Sequence, residues 1–226
     1  MIPVLGVPVL NRPDLLWGML HSIDVEVGRL VVVDNGGIVT AEEAAKARVH
    51  LIQPGHNLGV SASWNLIIKS RPLAPWWAIV NSDVVFSPGG LAAMTELVES
   101  AGGWVFLDDP SSFAITTETI KTVGLFDENF VPGYFEDNDY QRRCELMGVQ
   151  TASIRSGRVH LTSSTINSDE HLHRENRRTF AANADYYRRK WGGMPRSEVF
   201  TTPFNAGGSP AHWSLDFARL ADLTWR

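Results

Sequence analysis

Cysteine and basic residues are both scarce in this 226-residue sequence. Cys144 is the only cysteine, and one thiol makes neither an internal disulfide nor a cysteine-rich metal site. This composition fits a reducing compartment. Lysine and arginine number 20 against 25 aspartates and glutamates, which gives a formal net charge of -5. Binding to duplex nucleic acid needs a basic face, so we expect none here.

The sequence also lacks long hydrophobic runs. The N-terminal apolar run, within MIPVLGVPVLNRP, has no basic residue before it and is too short to span a bilayer. Apolar stretches elsewhere, such as WWAIV at 76–80, have the length of β-strands. We therefore expect a soluble, cytoplasmic protein.

Short apolar runs and helix-like segments alternate through the first half of the chain. Hydrophobic residues make up 44% of the sequence, and a chain of this length buries roughly 70% of its unfolded surface on folding. The alternation predicts a largely parallel sheet covered by helices. The predicted strands are 2–9, 30–33, 49–52, 76–80 and 104–107, and the predicted helices are 13–21, 41–47, 61–69 and 88–100.

The second half is less regular, and each of its segments is predicted separately. No internal repeat or low-complexity linker divides the chain. We therefore predict one domain of the α/β class, with a Rossmann-like, mostly parallel central sheet flanked by helices. The expected strands are 113–116, 149–154 and 158–161, the expected helices are 117–123, 136–147 and 169–190, and a polar loop is expected at 162–170.

Two acidic residues, Asp34 and Asp83, stand at the carboxyl ends of predicted strands. Ligands of open α/β sheets bind at that edge. Asp83 completes an Asn81-Ser82-Asp83 triplet, whose carboxylate and polar neighbours could hold a hard divalent cation that bridges substrate phosphates. The alternative is an ordinary turn at the end of a strand, because Asn, Ser and Asp favour local hydrogen bonds.

A second acidic group is the run Glu136-Asp137-Asn138-Asp139, at the start of a predicted helix. Three carboxylates in four residues repel one another unless something positive or structural holds them. One interpretation is helix capping and dipole stabilisation, with Arg142 and Arg143 as partners. A single cap does not need three acids, so the other interpretation is that one carboxylate acts as a general base.

Two further signals are weaker. The segment 57–61, NLGVS, is a polar, glycine-containing entry to a helix, and amides at a helix N-terminus favour phosphate. An ordinary capped turn is the alternative. His160 ends a short strand-like run, and a neutral imidazole is a common metal ligand, although a structural histidine is the more frequent case.

Together and in this order, these segments resemble the family-2 inverting glycosyltransferases, which have the GT-A fold. The resemblance runs from Val4 to about Gly193. PVLNRPDLL is similar to the family's first strand and helix, VVVDNGG to its second strand and acidic turn, and NLGVSASWN to its N-x-G loop. VNSDV stands where the family has its D-x-D-type motif, and GLFDENFVPGYFEDNDYQRRCELMG matches the pattern around its Glu-Asp pair. RKWGG resembles the rhamnosyltransferase-like members.

The resemblance implies an enzyme that binds a nucleotide-diphosphate sugar and transfers the sugar to an acceptor hydroxyl with inversion. It implies that Asp137 is the general base and that Asp83 binds Mn²⁺ or Mg²⁺, with His160 as a further metal ligand. Because Asn81 fills the first D-x-D position, Asp83 is the charged ligand of that motif. The residues implied for nucleotide-sugar binding are Pro8, Asn11, Asp34, which would hydrogen-bond the base, Asn57, Gly59, Asn65, Ser82 and Glu136.

The resemblance also divides the chain. It implies a glycosyltransferase domain at 1–193, with a nucleotide-binding half at about 1–107 and an acceptor half at about 108–193. The extension at 194–226 carries Trp213, Phe217 and Leu220 at helical spacing, so we expect a helical tail that packs on the domain or on a partner subunit of a homodimer. The acceptor stays open between a glycan, a lipid-linked carrier, a protein and a modified base.

Two other functions remain open. A non-catalytic nucleotide-sugar or glycan binding module would use the same residues without turnover. A sugar-phosphate nucleotidylyltransferase is less favoured, because residues 3–15 include Arg12 but no glycine cluster for a triphosphate. We also predict that 162–175 is a lid that orders over the donor, with an ordinary exposed loop as the alternative.

Overall fold

The computed structural model describes residues 1–155, 158–160 and 170–222. Within this part, the strands are β1 (Leu5–Val9), β2 (Leu30–Asp34), β3 (His50–Ile52), β4 (Trp76–Val80), β5 (Val84–Phe86), β6 (Trp104–Leu107), β7 (Asp109–Thr116), β8 (Thr151–Ile154) and β9 (Arg158–His160). Seven of them form one sheet in the order β3-β2-β1-β4-β7-β6-β8, and β5 pairs with β9 in a second, two-stranded sheet. The large sheet is parallel except that β7 runs antiparallel to both of its neighbours, which confirms the predicted mostly parallel α/β fold.

Helices cover both faces of the large sheet. They are α1 (Pro13–His21), α2 (Ala41–Ala47), α3 (Val60–Ser70), α4 (Gly90–Ala101), α5 (Thr117–Val123), α6 (Glu136–Leu146), α7 (Glu170–Trp191) and α8 (Phe217–Asp222). Strand β4 shows how this arrangement divides the core. Trp76, Ala78 and Val80 pack in one apolar cluster with α1 and α4, while Trp77 and Ile79 pack in another with α3, α5 and α6. The strand is therefore apolar at every position, as is usual for a parallel sheet covered on both faces.

The elements predicted from the sequence are present with somewhat shifted ends, but β5, the start of α3 and the C-terminal segment differ. Strand β5 was not predicted, because a three-residue strand is too short to show alternation. Helix α3 begins at Val60, directly after Gly59, one residue before its predicted start at Ser61. The Ser61 hydroxyl donates a hydrogen bond to the Phe130 carbonyl at 3.3 Å, which ties α3 to a distant loop.

The C-terminal segment packs along the surface of its own domain. The amide of His212 donates to the Val123 carbonyl at 3.0 Å, and the Leu125 amide donates to the Trp213 carbonyl at 3.1 Å. Because these backbone bonds hold Trp213 in an extended segment, the predicted helical stripe does not form, and α8 begins only at Phe217. In the described residues, no helix has both the length and the apolarity needed to cross a membrane.

Candidate active site

Asp34 ends β2 inside a set of local hydrogen bonds. Its Oδ2 accepts from the Val39 amide at 2.9 Å and from Gln53 Nε2 at 2.8 Å, and its Oδ1 accepts from the Gly36 amide at 3.2 Å. These bonds shape the turn after β2, while Oδ1 still has room for one more donor. Gln53 was not among the predicted site residues. It directly follows the carboxyl end of β3, and that position could have predicted it.

Pro8 and Asn11 lie at the same edge of the sheet as Asp34. Pro8 belongs to β1, where it is in register with Val33 of β2. Asn11 follows the carboxyl end of β1, and both residues are half-buried. The two strand ends therefore bring all three predicted nucleotide-binding residues to one edge.

The segment 57–60 is held at this edge by asparagine side chains. Asn35 Oδ1 accepts from the Leu58 amide at 3.0 Å, and Asn35 Nδ2 donates to the Ser63 hydroxyl at 2.9 Å. Asn57 Oδ1 accepts from the Gly59 amide at 2.9 Å, which closes a tight turn before α3. Asn35 was not among the predicted site residues, although it directly follows Asp34 at the end of β2.

Gly59 and Val60 join this turn to the segment before α6. The Val60 amide donates to the Pro132 carbonyl at 2.7 Å, so the first amide of α3 is used inside the protein rather than left for a phosphate. Gly59 has a φ of 80°, and a β-carbon there would lie 2.7 Å from the same carbonyl oxygen. Only glycine fits this approach, which brings the turn before α3 directly against the segment that leads to Glu136 and Asp137.

Asn65 has a different role from the one predicted. It is fully buried, its amide nitrogen donates to the Phe126 carbonyl at 2.9 Å and to Glu128 Oε1 at 2.8 Å, and its oxygen accepts from the Phe126 amide at 2.9 Å. Both amide hydrogens are used in these contacts. Asn65 therefore ties α3 to the loop after α5 and presents no exposed atom to a nucleotide sugar.

Ser82 and Asp83 follow β4 at the carboxyl edge, and both are 7% exposed. The Asn81 amide donates to the Ser111 carbonyl at 2.8 Å, so the triplet lies against the start of β7. Val84, the residue after Asp83, is in register with His160 across the β5–β9 pair. The backbone of His160 is therefore on the strand beside Asp83, as a shared metal site requires.

The donor set at this place suits a divalent cation that arrives with a phosphate substrate. Among the residues that the structure describes, no three His, Cys, Asp or Glu side chains converge in a way that would hold a metal ion unaided. Mg²⁺ and similar hard cations commonly use one or two protein ligands and complete their coordination with substrate phosphates and water. Asp83, with His160 on the neighbouring strand, fits that second kind of site.

The three acids at the start of α6 have different surroundings. Asp139 is fully buried, and its carboxylate accepts from Arg143 Nε at 2.9 Å, Lys190 Nζ at 2.6 Å and Trp191 Nε1 at 2.9 Å. The structural interpretation therefore holds for Asp139. This leaves Glu136 and Asp137 for chemistry.

Lys190 extends the same ion-pair network to Asp127, whose Oδ2 lies 2.7 Å from the ammonium nitrogen. Burial opposes the ionisation of Asp127, but the charge and hydrogen bond of Lys190 outweigh it, and the pKa of Asp127 lies well below its usual range. Lys190 and Trp191 belong to the RKWGG motif. In this chain the motif binds α7 to α6, and a β-carbon at Gly193 would lie 2.0 Å from the Ser197 carbonyl oxygen.

Glu136 is a buried carboxyl at the first position of α6. It is 7% exposed, and its Oε2 has no hydrogen-bond partner among the described residues. Burial, with the negative charge of Asp137 beside it, raises the pKa of Glu136 to about 8. At neutral pH the side chain is therefore mostly protonated and can donate a hydrogen bond.

Asp137 is partly buried and is the more accessible of the two. Its Oδ1 accepts from the Asn138 amide at 2.8 Å. Burial raises the pKa of Asp137, backbone hydrogen bonds from Asn138 and from Asp137 itself oppose this, and the charge of Asp109 adds to the rise. Since Asp109 begins β7, against which the Asn81-Ser82-Asp83 triplet lies, the start of α6 and the end of β4 meet at one edge.

A surface cavity of about 690 Å³ lies elsewhere, at the opposite ends of β2 and β3. Its lining includes Leu20, Arg29, Arg48 and His50, and none of the predicted site residues. The carboxylates, not this cavity, mark the candidate site.

Most of the predicted lid, residues 162–169, lies outside the described residues. The structure describes 170–175 as the first turns of α7. The side chain of His160 also lies outside the described part, so its metal contact stays a prediction.

No protein-family model matches the chain. A galactofuranosyl glycosyltransferase from Leishmania donovani is 39% identical over 61 residues, which are 26% of this chain and 14% of that protein. The chain thus spans a small part of this curated relative.

Three solved glycosyltransferase structures are similar over most of the described chain. The mannosyltransferase PcManGT from Pyrobaculum calidifontis, in complex with GDP-Man and Mn²⁺, has a TM-score of 0.55 at 16% identity and covers 69% of this chain and 55% of its own. S. aureus TarS 1-349 in complex with UDP has a TM-score of 0.58 at 14% identity, and the match covers 85% of this chain and 72% of the TarS chain. Glucosyl-3-phosphoglycerate synthase from Mycobacterium tuberculosis, in complex with Mn²⁺, UDP and phosphoglyceric acid, has a TM-score of 0.60 at 14% identity. The match covers 87% of this chain and 80% of the synthase chain. The chain therefore has the GT-A fold of these glycosyltransferases.

Proposed function

We propose that this protein is an inverting glycosyltransferase, which moves a sugar from a nucleotide-diphosphate sugar to an acceptor hydroxyl. The observation that supports the proposal is that the start of β7 is shared: the Asn81-Ser82-Asp83 triplet lies against it, and Asp109, its first residue, raises the pKa of the partly buried Asp137. An inverting transfer needs a base on one side of the sugar and stabilisation of the leaving diphosphate on the other.

In the proposed mechanism Asp137 accepts the proton of the acceptor hydroxyl. The acceptor oxygen bonds to the anomeric carbon, and the bond from that carbon to the diphosphate oxygen breaks with its electron pair. Burial raises the pKa of Asp137, which makes it a stronger base than an ordinary aspartate. Protonated Glu136 beside it contributes a hydrogen-bond donor and no second negative charge.

Asp83 and His160 would hold the divalent metal. When bound, Mn²⁺ or Mg²⁺ supplies a Lewis acid for the leaving diphosphate. Two of the structurally similar proteins were solved with Mn²⁺, and the three carry GDP-Man or UDP, which supports both the metal and the donor class. Pro8, Asn11, Asp34, Asn57, Gly59 and Ser82, at the carboxyl edge, would form the nucleotide pocket.

The acceptor and the assembly are part of the same proposal. The acceptor would be a glycan, a lipid-linked carrier, a protein or a modified base. A homodimer would use the C-terminal extension, where Trp213 is 49% exposed although the segment contacts its own domain. The single cysteine favours a cytoplasmic setting.

The test is nucleotide release. The protein is incubated with Mn²⁺ and, in turn, UDP-glucose, UDP-galactose, UDP-GlcNAc and GDP-mannose, and released UDP or GDP is measured with and without a panel of acceptors. Release that chelator abolishes supports a transferase. Binding without release under every acceptor would indicate a binding module, and pyrophosphate release from a nucleoside triphosphate and a sugar 1-phosphate would indicate a nucleotidylyltransferase.

A further inference from the structure

A charged cluster that the mechanism above does not use lies at the start of β7. Arg158 Nε donates to the Leu107 carbonyl at 2.6 Å and lies 3.4 Å from Asp108 Oδ2, while Arg158 Nη2 lies 2.8 Å from Asp109 Oδ2. The Arg158 side chain is 3% exposed, whereas that of Asp109 is 49% exposed. A buried guanidinium thus fixes a carboxylate that faces solvent.

One nitrogen of this guanidinium has no use within the described residues. Arg158 Nη1 is buried and has no hydrogen-bond partner there. A buried donor without a partner is costly, and such groups are rare in folded proteins. An oxygen atom of a ligand would satisfy it.

The backbone beside the cluster is also strained. Asp108 has a φ of 70°, in the left-handed region that disfavours residues other than glycine. The pairing of β6 with β7 shifts register between Phe106 and Leu107. Backbone strain of this kind concentrates at functional sites, where it re-aims side chains.

The cluster lies between the two ends of the proposed site. Asp109 is two residues from Ser111, whose carbonyl binds the Asn81 amide. Arg158 is two residues from His160 on β9, the strand that pairs with β5 directly after Asp83. On the other side, Asp109 is close enough to Asp137 to raise the pKa of Asp137.

This place and this charge suit the transferred sugar. The sugar must lie between the diphosphate and the base. Its anomeric carbon is bonded to the diphosphate, and the acceptor attacks that carbon from the side where the base lies. Within the described residues, Asp108 and Asp109 contact the single guanidinium of Arg158, and this arrangement suits hydroxyl groups better than a diphosphate. A carboxylate acceptor beside an N–H donor matches two neighbouring hydroxyls, of which one donates and one accepts.

We propose that Asp109 and Arg158 bind neighbouring hydroxyls of the transferred sugar and thereby select the donor. Asp109 accepts from one hydroxyl, and Arg158 Nη1 donates to the oxygen of the next. This inference rests on the proposed function and adds the specificity-determining pair to it.

The test compares sugar binding with nucleotide binding. Calorimetry in the presence of Mn²⁺ measures the Kd of UDP and of GDP, and the Kd of UDP-glucose, UDP-galactose, UDP-GlcNAc and GDP-mannose. The variants are Arg158→Lys, which keeps the charge but loses the planar fork, and Asp109→Asn, which keeps an oxygen for Arg158. Arg189→Lys, on an exposed arginine of α7, is the matched control, and thermal unfolding identifies any variant that does not fold.

In the wild type, one nucleotide sugar should bind more tightly than its nucleoside diphosphate. Both site variants should reduce that advantage by about 10-fold or more, because a hydrogen bond to a charged group is lost. Their affinity for UDP and GDP should be unchanged, and a deoxy analogue of the preferred sugar should lose affinity in the wild type but not in the variants. If Arg158→Lys does not fold, Asp109→Asn alone carries the test.

Equal losses for nucleotide and nucleotide sugar would overturn the proposal, because the cluster would then hold the diphosphate or the fold. No loss for either ligand would overturn it too. In both cases the wild type would still release nucleotide, so the proposed function would stand. If the wild type binds no nucleotide and no nucleotide sugar, the proposed function itself fails.

Discussion

The Pro132 carbonyl and Gly59 meet backbone to backbone, and the Val60 amide beside Gly59 donates to that carbonyl at 2.7 Å. Through this contact, the turn after β3 and the segment before α6 hold each other in place. One contact between distant parts of the sequence therefore joins the predicted nucleotide-binding residues Asn57 and Gly59 to the segment that leads to the proposed base.

Replacing Gly59 with alanine should weaken both the fold and nucleotide binding. The φ of 80° disfavours any side chain, and the new β-carbon would lie 2.7 Å from the Pro132 oxygen. Gly89→Ala is the matched control, because Gly89 has a φ of 82° but open space around its β-carbon. Urea unfolding should show a loss at least about 1 kcal/mol larger for Gly59→Ala than for the control. Equal losses would mean that the contact with Pro132 is unimportant.

Asp139→Asn should destabilise the protein without acting on catalysis directly. The change removes a buried charge that Arg143 and Lys190 both contact. Breaking a buried ion pair costs about 3–5 kcal/mol, whereas Asp185→Asn, in an exposed pair with Arg189, should cost under about 1 kcal/mol. Denaturant unfolding measures both. A stable Asp139→Asn variant that binds donor but has lost turnover would instead make Asp139 a candidate base.

The protonation of Glu136 should make stability depend on pH. The folded protein keeps this proton up to about pH 8, while the unfolded chain releases it near the ordinary value of 4.5. The stability that protonated Glu136 contributes is therefore fully present below pH 4.5 and is lost as the pH rises through about 8.

Glu136→Gln stays neutral at every pH, so it isolates this effect. Relative to the variant, the wild type should lose on the order of a few kcal/mol of unfolding free energy between pH 5 and 9. Chemical unfolding of both proteins across this range is the measurement. Parallel curves would show that Glu136 ionises in the folded state as readily as in the unfolded chain.

Asp83→Asn should weaken nucleotide binding only when metal is present. The carboxylate is proposed to reach the nucleotide through a cation that bridges to its phosphates. Titration of UDP and GDP with Mn²⁺ and with EDTA, in both proteins, gives the four affinities needed. The wild type should lose affinity with EDTA and the variant should not change. Identical affinities for the wild type under both conditions would contradict the metal site.

Much of the fold could be predicted because the signals are local. Pro13 marks the start of α1, the apolar run 76–80 marks a strand covered on both faces, and acidic residues open α6. Because Asp34 and Asp83 follow predicted strands, the sequence already predicted both at the edge where open α/β sheets bind their ligands.

The roles of the polar residues depend on contacts between distant segments, so the sequence could not distinguish them. Asn65 looks like a polar residue of a binding loop but is buried against Phe126. Among the acids of α6, Asp139 differs from Asp137 because Arg143, Lys190 and Trp191 contact it, and the last two belong to α7. Arg158 had no motif to mark it, and its contacts with the start of β7 appear only in the folded chain.

The central claim, that Asp137 is the base of a transferase, is tested most directly by Asp137→Asn at saturating nucleotide sugar. The amide keeps the shape of the side chain and cannot accept the proton, so donor affinity should be retained while turnover falls by at least about 10²-fold. Asp185→Asn, on the exposed face of α7, should retain wild-type turnover as the matched control. Turnover by Asp137→Asn that equals the wild type would contradict the claim, and so would a collapse of donor affinity in place of the loss of turnover.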